Sequence, residues 1–570
     1  MNDRQPRFRE VSARADFPAL DKRILELWKE RRVFEKSLSA AGPEAPLFVF
    51  YEGPPTANGR PGSHHVISRI FKDLFPRYKT MRGYRVPRKA GWDTHGLPVE
   101  LEVERSLGID GKKQIEEYGV AEFNKLCRES VVAYLEEWEE FTERIGFWVD
   151  LGDAYYTFTN EYIETVWWLL RQIWDKGLLY QGFKVVPYCP RCGTAISSHE
   201  VAQGYKDVEE DSIYLRFPLT DEAAARLMGE AAAEEQGGER GAAVSLAVWT
   251  TTPWTLISNV AAAVHSDVTY ALVESRGERF VLARELVETV LGKKAVVERE
   301  FPGSELLGLE YVAPYGFMPA DRRAHYVIAG DFVTTTAGTG IVHIAPAFGE
   351  ADMQAGLEND LPVVNAVDTE GRFVAAVTPW AGRFVKDADS EITAELKERG
   401  LLLGVEPYEH SYPFCWRCDT ALLYYSKPTW YIRTTEIKEQ LVAANDAVTW
   451  HPEHIKHGRF GEWLANNVDR ALSRDRYWGT PLPVWRCEQG HTHCVGSITE
   501  LREMATGAVP EDLELHRPYV DDVVLRCPEC GENMRRAEEV IDAWFDSGSM
   551  PFAQWHYPFE NEDVFAERFP

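Results

Sequence analysis

At 570 residues, 45% hydrophobic and 12% aromatic, the chain is too long for one core and too apolar for wholesale disorder, so several domains are expected. Lys and Arg number 62 against 90 Asp and Glu, a net charge of −28, which as an average argues against a nucleic-acid binder but leaves room for a local basic strip. The first residues lack the apolar stretch of a signal peptide, and no apolar run approaches the roughly 18 residues that span a bilayer, so a cytoplasmic chain without membrane segments is expected.

Residues 18–38 are predicted helical: Pro18 suits a first turn behind Asp16, and Leu20, Ile24, Leu27 and Trp28 share a face. The run LFVFYEG (47–53) is apolar and stops at Gly-Pro-Pro, the pattern of a buried strand. A loop rich in glycine and proline follows, ending in Gly62-Ser63-His64-His65. Helical spacing then resumes through Val66, Ile70, Phe71 and Leu74. Strand, glycine-rich loop and helix form the opening unit of a nucleotide-binding α/β fold, in which the first helical N–H groups face an anion. The segment RYKTMRGYRVPRKAG (77–91) is the basic strip, and composition leaves open whether it faces a nucleotide or solvent. Another strand-to-loop passage, YRVPRKAGWDTHGLPVE, precedes long helical stretches at 120–146 and 160–178.

The texture changes near Tyr188, where YCPRCGTAISSHE is a zinc knuckle. Residues 209–405 read as short strands and turns, with a flexible surface loop at 229–243, and CWRC resumes the knuckle chemistry at 415. An insertion that leaves at one Cys-x-x-Cys and returns at another is expected to form a separate domain on a two-stranded stalk. Of nine cysteines, eight form close pairs and Cys127 stands alone. Without a secretory signal, such pairs read as metal ligands rather than disulfides. Cys189, Cys192, Cys415 and Cys418 are expected to close one tetrahedral zinc site; four buried free thiols are the lesser alternative. For a second zinc, Cys487, Cys527 and Cys530 are the firmest ligands, and Cys494 is preferred as the fourth over His491 or His493. Protein would supply every ligand, so both sites are expected to be structural. A zinc-ribbon nucleic-acid-binding protein is therefore a rival to an enzyme.

Taken together, EGPPTANGRPG, KDLFPRYKTMRGY, GWDTHGLPVE, VPYCPRCGTAISSHEV, WTTTPWTL, GTGIVHIAPAFGEAD, SYPFCWRC, LSRDRYWGTPLPVW and VIDAWFDSGSMPFAQWHYPFE resemble the isoleucyl-tRNA synthetase family of class I aminoacyl-tRNA synthetases. The likeness covers almost the whole chain. The GWDTHGLP loop and the threonine run fit the isoleucine family better than the leucine or valine families, with valine the runner-up.

The resemblance implies an α/β fold: a Rossmann-type catalytic domain interrupted by zinc-knuckle segments and a mainly β editing domain. Its expected boundaries are 1–185 for an N-terminal extension and first half of the catalytic domain, 186–208 for a zinc-binding stalk, 209–405 for the editing domain, 406–430 for the returning stalk, and 431–570 for a second zinc segment leading into the second catalytic half. The implied activity is ATP-dependent formation of isoleucyl-adenylate, with Mg2+ accompanying ATP, then transfer to tRNA(Ile) by a monomer. By resemblance, Gly62, His64 and His65 stand where the family has His-x-Gly-His. His65 would keep a phosphate contact, His64 would approach ATP from a shifted angle, and Gly62 would free space at the loop entry.

Pro54 and Trp544 would line the isoleucine side-chain pocket, and Asp93 would hold the substrate ammonium. A pocket for isoleucine rejects valine by only about 1–3 kcal/mol, a limit established for this family rather than derived from these residues. A hydrolytic second site is therefore implied, with Thr250, Thr251 and Thr252 positioning ester and water, Asn259 a weaker lining candidate, and His343 and Asp352 on the terminal adenosine and ammonium. Without the resemblance, Asp93 reads as a helix cap, Trp544 as a core aromatic, the threonines as strand residues and His343 as a satisfied core histidine. The family's Lys-Met-Ser-Lys-Ser loop and anticodon-binding domain are missing from the sequence. The expectation is an N-terminal portion of a longer protein, and a piece acting only as a tRNA-end editing or binding module is the second hypothesis.

Overall fold

The computed structural model describes residues 14–53, 55–56, 59–229 and 244–569. Pro54 and nearly all of the predicted 229–243 loop lie outside the described residues. The chain folds as two compact units, one built from the residues up to Leu179 and from Leu472 onward, the other from Tyr180–Ala471. Residues 431–471 thus pack with the inserted unit, although the sequence boundary at 431 groups them with the C-terminal segment.

In the first unit, Lys89–Trp92 runs parallel to Asp150–Tyr156. The helices Leu97–Leu107, Gly111–Tyr118 and Val120–Arg144 return the chain between these strands, the crossover a parallel pair requires. The 47–53 run follows the same direction but bridges its neighbour only at Leu47, opposite Arg85; Thr56 bridges Asp93 farther along. Pro46 and Pro55 bracket the run and cannot donate to a ladder. The helix expected over 18–38 is two helices, Phe17–Glu30 and Val33–Ser39, because Arg32 between them takes φ 49°.

The Val120–Arg144 helix buries Phe123, Cys127, Val131, Leu135 and Trp138 at near four-residue spacing against Trp92, Val99, Val103, Tyr477 and Trp478. The lone Cys127 is therefore a core residue. The Ser63–Met81 helix sinks Arg69 among the rings of Trp92, Trp138, Phe141 and Phe147, where it donates to Thr142 Oγ1 at 2.6 Å. Its apolar positions Ile67, Ile70, Phe71, Leu74, Phe75, Tyr78 and Met81 remain exposed among the described residues.

The basic strip is largely consumed internally. Arg77 bonds Asp73 at 2.5 Å and lies 3.7 Å from the Trp148 ring centre; buried Arg88 donates to Thr80; Lys89 pairs with Asp153; Arg85 pairs with Glu567. Both of the alternatives left open by composition give way to a third: these side chains brace the fold.

The second unit is dominated by a nine-stranded sheet. Val244–Thr250 pairs with Tyr205–Pro218, which runs antiparallel to Leu402–Pro413 from Tyr205 opposite Pro413 to Leu215 opposite Leu402. Of the two passages expected as a stalk, 205–208 pairs with 410–413, and the ladder continues into 209–215. Apolar residues from these strands, such as Ile213, Leu215, Val248 and Leu272, meet Val385, Ile392 and Leu396 of the Val385–Glu398 helix in one core. Among the described residues, no helix is long and apolar enough to cross a membrane.

Candidate functional sites

In the first unit the backbone of Asp93 continues the parallel strand, its N–H donating to Pro55 O at 3.1 Å. The chain then turns sharply at Gly96, φ +107°, where a Cβ would come within 3.0 Å of Ala543 Cβ. That close approach seats the loop against the Ala543–Gly548 helix, from which Ser547 Oγ donates to Asp93 Oδ2 at 3.0 Å. Thr56 Oγ1 lies 3.5 Å from the same oxygen, while Asp93 Oδ1 has no hydrogen-bond partner. Burial first, then the neighbouring Asp546 carboxylate, push Asp93 up to about 7, and its unpartnered Oδ1 is itself buried. An acceptor oxygen left open in this setting is suited to a cation that brings its own hydrogens. Trp544, half exposed, stands one helical turn before Ser547 and shares its face.

The Ser63–Met81 helix begins at Gly62, whose N–H donates to His65 Nδ1 at 2.8 Å while Gly62 O accepts from His65 N. Because Nδ1 accepts, neutral His65 carries its proton on Nε2 and can donate it outward. Its ring lies 3.8 Å from that of His64 and 4.7 Å from that of Trp138. Burial, then the nearby charges of His64 and Arg69, lower the His65 pKa. His64 is exposed, and its ring covers Gly62, where an added Cβ would meet His64 Cε1 at 2.7 Å.

Among the described residues, two groups of side chains have the geometry of closed metal sites. In the second unit, Cys189 and Cys192 each place Sγ 3.5 Å from Cys418 Sγ, and all four sulfurs of Cys189, Cys192, Cys415 and Cys418 lie within 4.8 Å of one another. Zn–S bonds of about 2.3 Å in a tetrahedron separate the sulfurs by about 3.8 Å, so the cage fits.

In the first unit the cluster is Cys487, His491, Cys527 and Cys530, not Cys494. His491 Nδ1 is 3.4 Å from Cys487 Sγ and 3.7 Å from Cys527 Sγ. This corrects the expected fourth ligand. Val484–Cys487 and Thr492–Cys494 form a hairpin in which Cys494 opposes Val484, at the far end from Cys487. Three residues of extended chain separate the two ends by about 10 Å. Cys494 is buried, and burial pushes its thiol up.

In the second unit the His343 strand, Val342–Ile344, lies between Val244–Thr250 and Ala261–Val264. Hydroxyls then link the expected residues: Thr250 Oγ1 to Thr252 Oγ1 at 3.3 Å, Thr252 to Thr255 at 3.1 Å, and Thr255 to His343 Nε2 at 3.0 Å. Burial pushes His343 down to about 4, leaving a neutral ring whose Nδ1 has no partner. Asp352 accepts from Ala345 N at 2.8 Å and is pushed up to about 6 by burial. Thr251 is partly exposed beside them.

Asn259 is spent on the framework: its Nδ2 donates to Ala261 O and its Oδ1 accepts from Tyr311. Sequence reasoning missed Thr255, although it closes the same WTTTPWT run, and Asp389, which accepts from Trp254 N at 2.9 Å and has no local signal.

The family profile described as tRNA synthetases class I (I, L, M and V) matches residues 23–570. Proteins named Isoleucine--tRNA ligase from Clostridium kluyveri and Streptomyces avermitilis are each 52% identical over 99% of this chain and 52% of their own lengths. The Thermobifida fusca protein of that name is 51% identical, with the same coverage. The chain thus spans about half the length of the curated relatives it matches. A solved LeuRS–tRNA–LeuAMS complex from Agrobacterium radiobacter K84 aligns at 15% identity over 94% of this chain and 59% of that chain, with a TM-score of 0.38, too loose to argue from.

Proposed function

The chain belongs to the class I tRNA synthetases that serve isoleucine, leucine, methionine and valine, and on that premise we propose that it carries the amino-acid and editing sites of an isoleucine--tRNA ligase. The observation that carries this reading is Asp93: a carboxylate with one buried oxygen that accepts no hydrogen bond, held by Ser547 beside Trp544. Asp93 takes the isoleucine ammonium, Trp544 borders the side-chain pocket, and Pro54 is its proposed companion. His65, with its Nε2 proton, donates to an ATP phosphate oxygen at the helix N-terminus, and exposed His64 approaches the same nucleotide. Mg2+ accompanying ATP supplies neutralisation of phosphate charge. Catalysis of this kind rests on holding reactants in line and balancing charge rather than on proton transfer. Zinc is the proposed occupant of both closed cages and, with all four positions taken by protein, braces the fold.

In the second unit, Thr250, Thr251 and Thr252 orient the ester and water, and neutral His343 and Asp352 address the terminal adenosine and ammonium of a mischarged tRNA(Ile). Asp352 reads as a group waiting for a cation: its carboxylate is disfavoured until one arrives. The enzyme acts as a cytoplasmic monomer in this reading.

Two assays test it. Isoleucine-dependent exchange of pyrophosphate into ATP reports the first site, and hydrolysis of valyl-tRNA(Ile) over isoleucyl-tRNA(Ile) reports the second. Hydrolysis without exchange favours the editing-module reading, for which the self-contained second unit speaks. Exchange driven by valine rather than isoleucine would move the assignment to the valine enzyme, and tRNA binding with neither activity would leave only zinc-ribbon recognition.

A further inference from the structure

Behind Asp93 runs a line of buried hydrogen bonds that none of the roles above uses. Glu514 accepts from Arg128 at 2.6 Å through one oxygen and meets His516 Nδ1 at 2.5 Å through the other. His516 Nε2 lies 2.7 Å from His95 Nε2, and His95 Nδ1 lies 2.6 Å from Asp546 Oδ2. Asp546 Oδ1 accepts from Thr480 at 2.8 Å, and the adjacent Ser547 holds Asp93. His95, His516 and Asp546 are buried, with Trp478 stacked on His516 and edge-on to His95.

Counting protons along this line constrains it. Burial works against the Glu514 charge, but the His516 hydrogen bond and Arg128 outweigh it and hold the carboxyl down at about 2. Burial pushes His516 down to about 4, so it is neutral and donates from Nδ1 to that carboxylate. Its Nε2 is then an acceptor, and the proton in the 2.7 Å contact belongs to His95 Nε2. The 2.6 Å contact between His95 Nδ1 and Asp546 needs a second proton. His95 and Asp546 therefore form a pair that is neutral overall, imidazolium against carboxylate or imidazole against carboxylic acid.

We propose that His95, oriented by His516, is a positioning residue: it balances the charge of Asp546 so that Asp93 can ionise and take up the ammonium of an amino-acid substrate. This rests on the reading of Asp93 as the ammonium partner. The groups facing Asp93 are Asp546 from the Ala543–Gly548 helix, Tyr155 from the Asp150–Tyr156 strand and Tyr162 from the Asn160–Asp175 helix, with Glu52 beyond Tyr155. The phenols stay neutral because burial raises both. Without the imidazole, two carboxylates share a nearly dry pocket, and one of them must take a proton.

The test is calorimetric titration of isoleucinol, which keeps the amine, into this chain from pH 5.5 to 9, alongside a carboxyl 13C titration of Asp93 in the ligand-free protein. In His95→Gln the Asp93 inflection should move up by at least one pH unit, weakening isoleucinol about tenfold at pH 7 while affinity recovers at higher pH. In Asp546→Asn, which removes the carboxylate together with the need for its counter-charge, the inflection should stay near the wild-type value, and adding this change to His95→Gln should bring the raised inflection back. An equal loss of affinity at every pH in His95→Gln, with the Asp93 inflection unmoved, would overturn the proposal. If His95→Gln fails to fold, Asp546→Asn decides: a fall of the inflection by about a unit or more would show that the Asp546 charge is unbalanced in wild type and overturn it. If wild type binds no isoleucinol, the amino-acid reading falls, and the ligand-free titration still decides whether His95 sets the state of Asp93.

Discussion

The imidazole of His64 occupies the space a side chain on Gly62 would need, leaving 2.7 Å between His64 Cε1 and the place of a Cβ. The two positions are therefore coupled. Gly62→Val should displace His64 and cost stability, whereas the same change in a His64→Gly background should cost less. A urea double-mutant cycle should give a coupling of about 0.5–1 kcal/mol. Simple additivity would mean that the His64 ring swings away freely.

Metal analysis of the purified chain should find two zinc ions. His491→Ala should bring the count toward one, because three thiolates alone close a tetrahedron poorly, and Cys494→Ala should leave it at two. The reverse pattern would restore Cys494 as the ligand.

The His343 and Asp352 shifts oppose each other in acid. His343 drops from 6.5 to about 4, so between those values the unfolded chain binds more protons and this contribution to stability rises with pH. Asp352 climbs from 3.8 to about 6, so the folded chain binds more protons there and its contribution falls with pH. Removing the acid in Asp352→Asn should steepen the rise of stability between pH 4 and 6.5 and add on the order of 1 kcal/mol at pH 7. Denaturant midpoints across pH measure both, and a midpoint for the variant below that of wild type at pH 7 would contradict the argument.

The exposed stripe on the Ser63–Met81 helix should make this chain bind anilinonaphthalene dyes and self-associate. Phe71→Ser with Leu74→Lys should reduce both, read by fluorescence and sedimentation velocity, with the thermal midpoint within a few degrees of wild type because neither side chain is buried.

Buried Arg476 bridges Glu100 and Glu104, and Glu100 also accepts the N–H groups of Tyr477 and Trp478. Arg476→Met would strand two buried carboxylates and should cost about 3–5 kcal/mol in unfolding free energy. A loss below 1 kcal/mol would show that water reaches the pair.

Much of the architecture is written in short-range patterns. The Val120–Arg144 helix follows from its four-residue apolar spacing, and the two knuckles that close the first cage follow from Cys-x-x-Cys spacing. The 47–53 run shows the limit of that reading. Its apolar residues promise a strand, but pairing also depends on a neighbour in register, and the run bridges the neighbouring chain only at Leu47, opposite Arg85. The basic strip shows another: charge density reads the same whether arginines face a ligand or, like Arg77 and Arg88, lie on Trp148.

By itself the sequence determined which chemistries are present and in what order: the glycine–histidine loop, the WDTHG turn, the threonine run and four pairs of cysteines. Only the tertiary structure decided which of these groups meet. His491 displaces Cys494 because hairpin register, not spacing along the chain, sets what lies opposite Cys487. His95 meets His516 across 421 residues of sequence, a contact fixed by how the 93–96 turn and the segment around Trp478 pack. Local spacing is governed by covalent geometry and can be counted in residues. Long-range contacts depend on packing of the whole core, where a shift of one residue in register changes every partner.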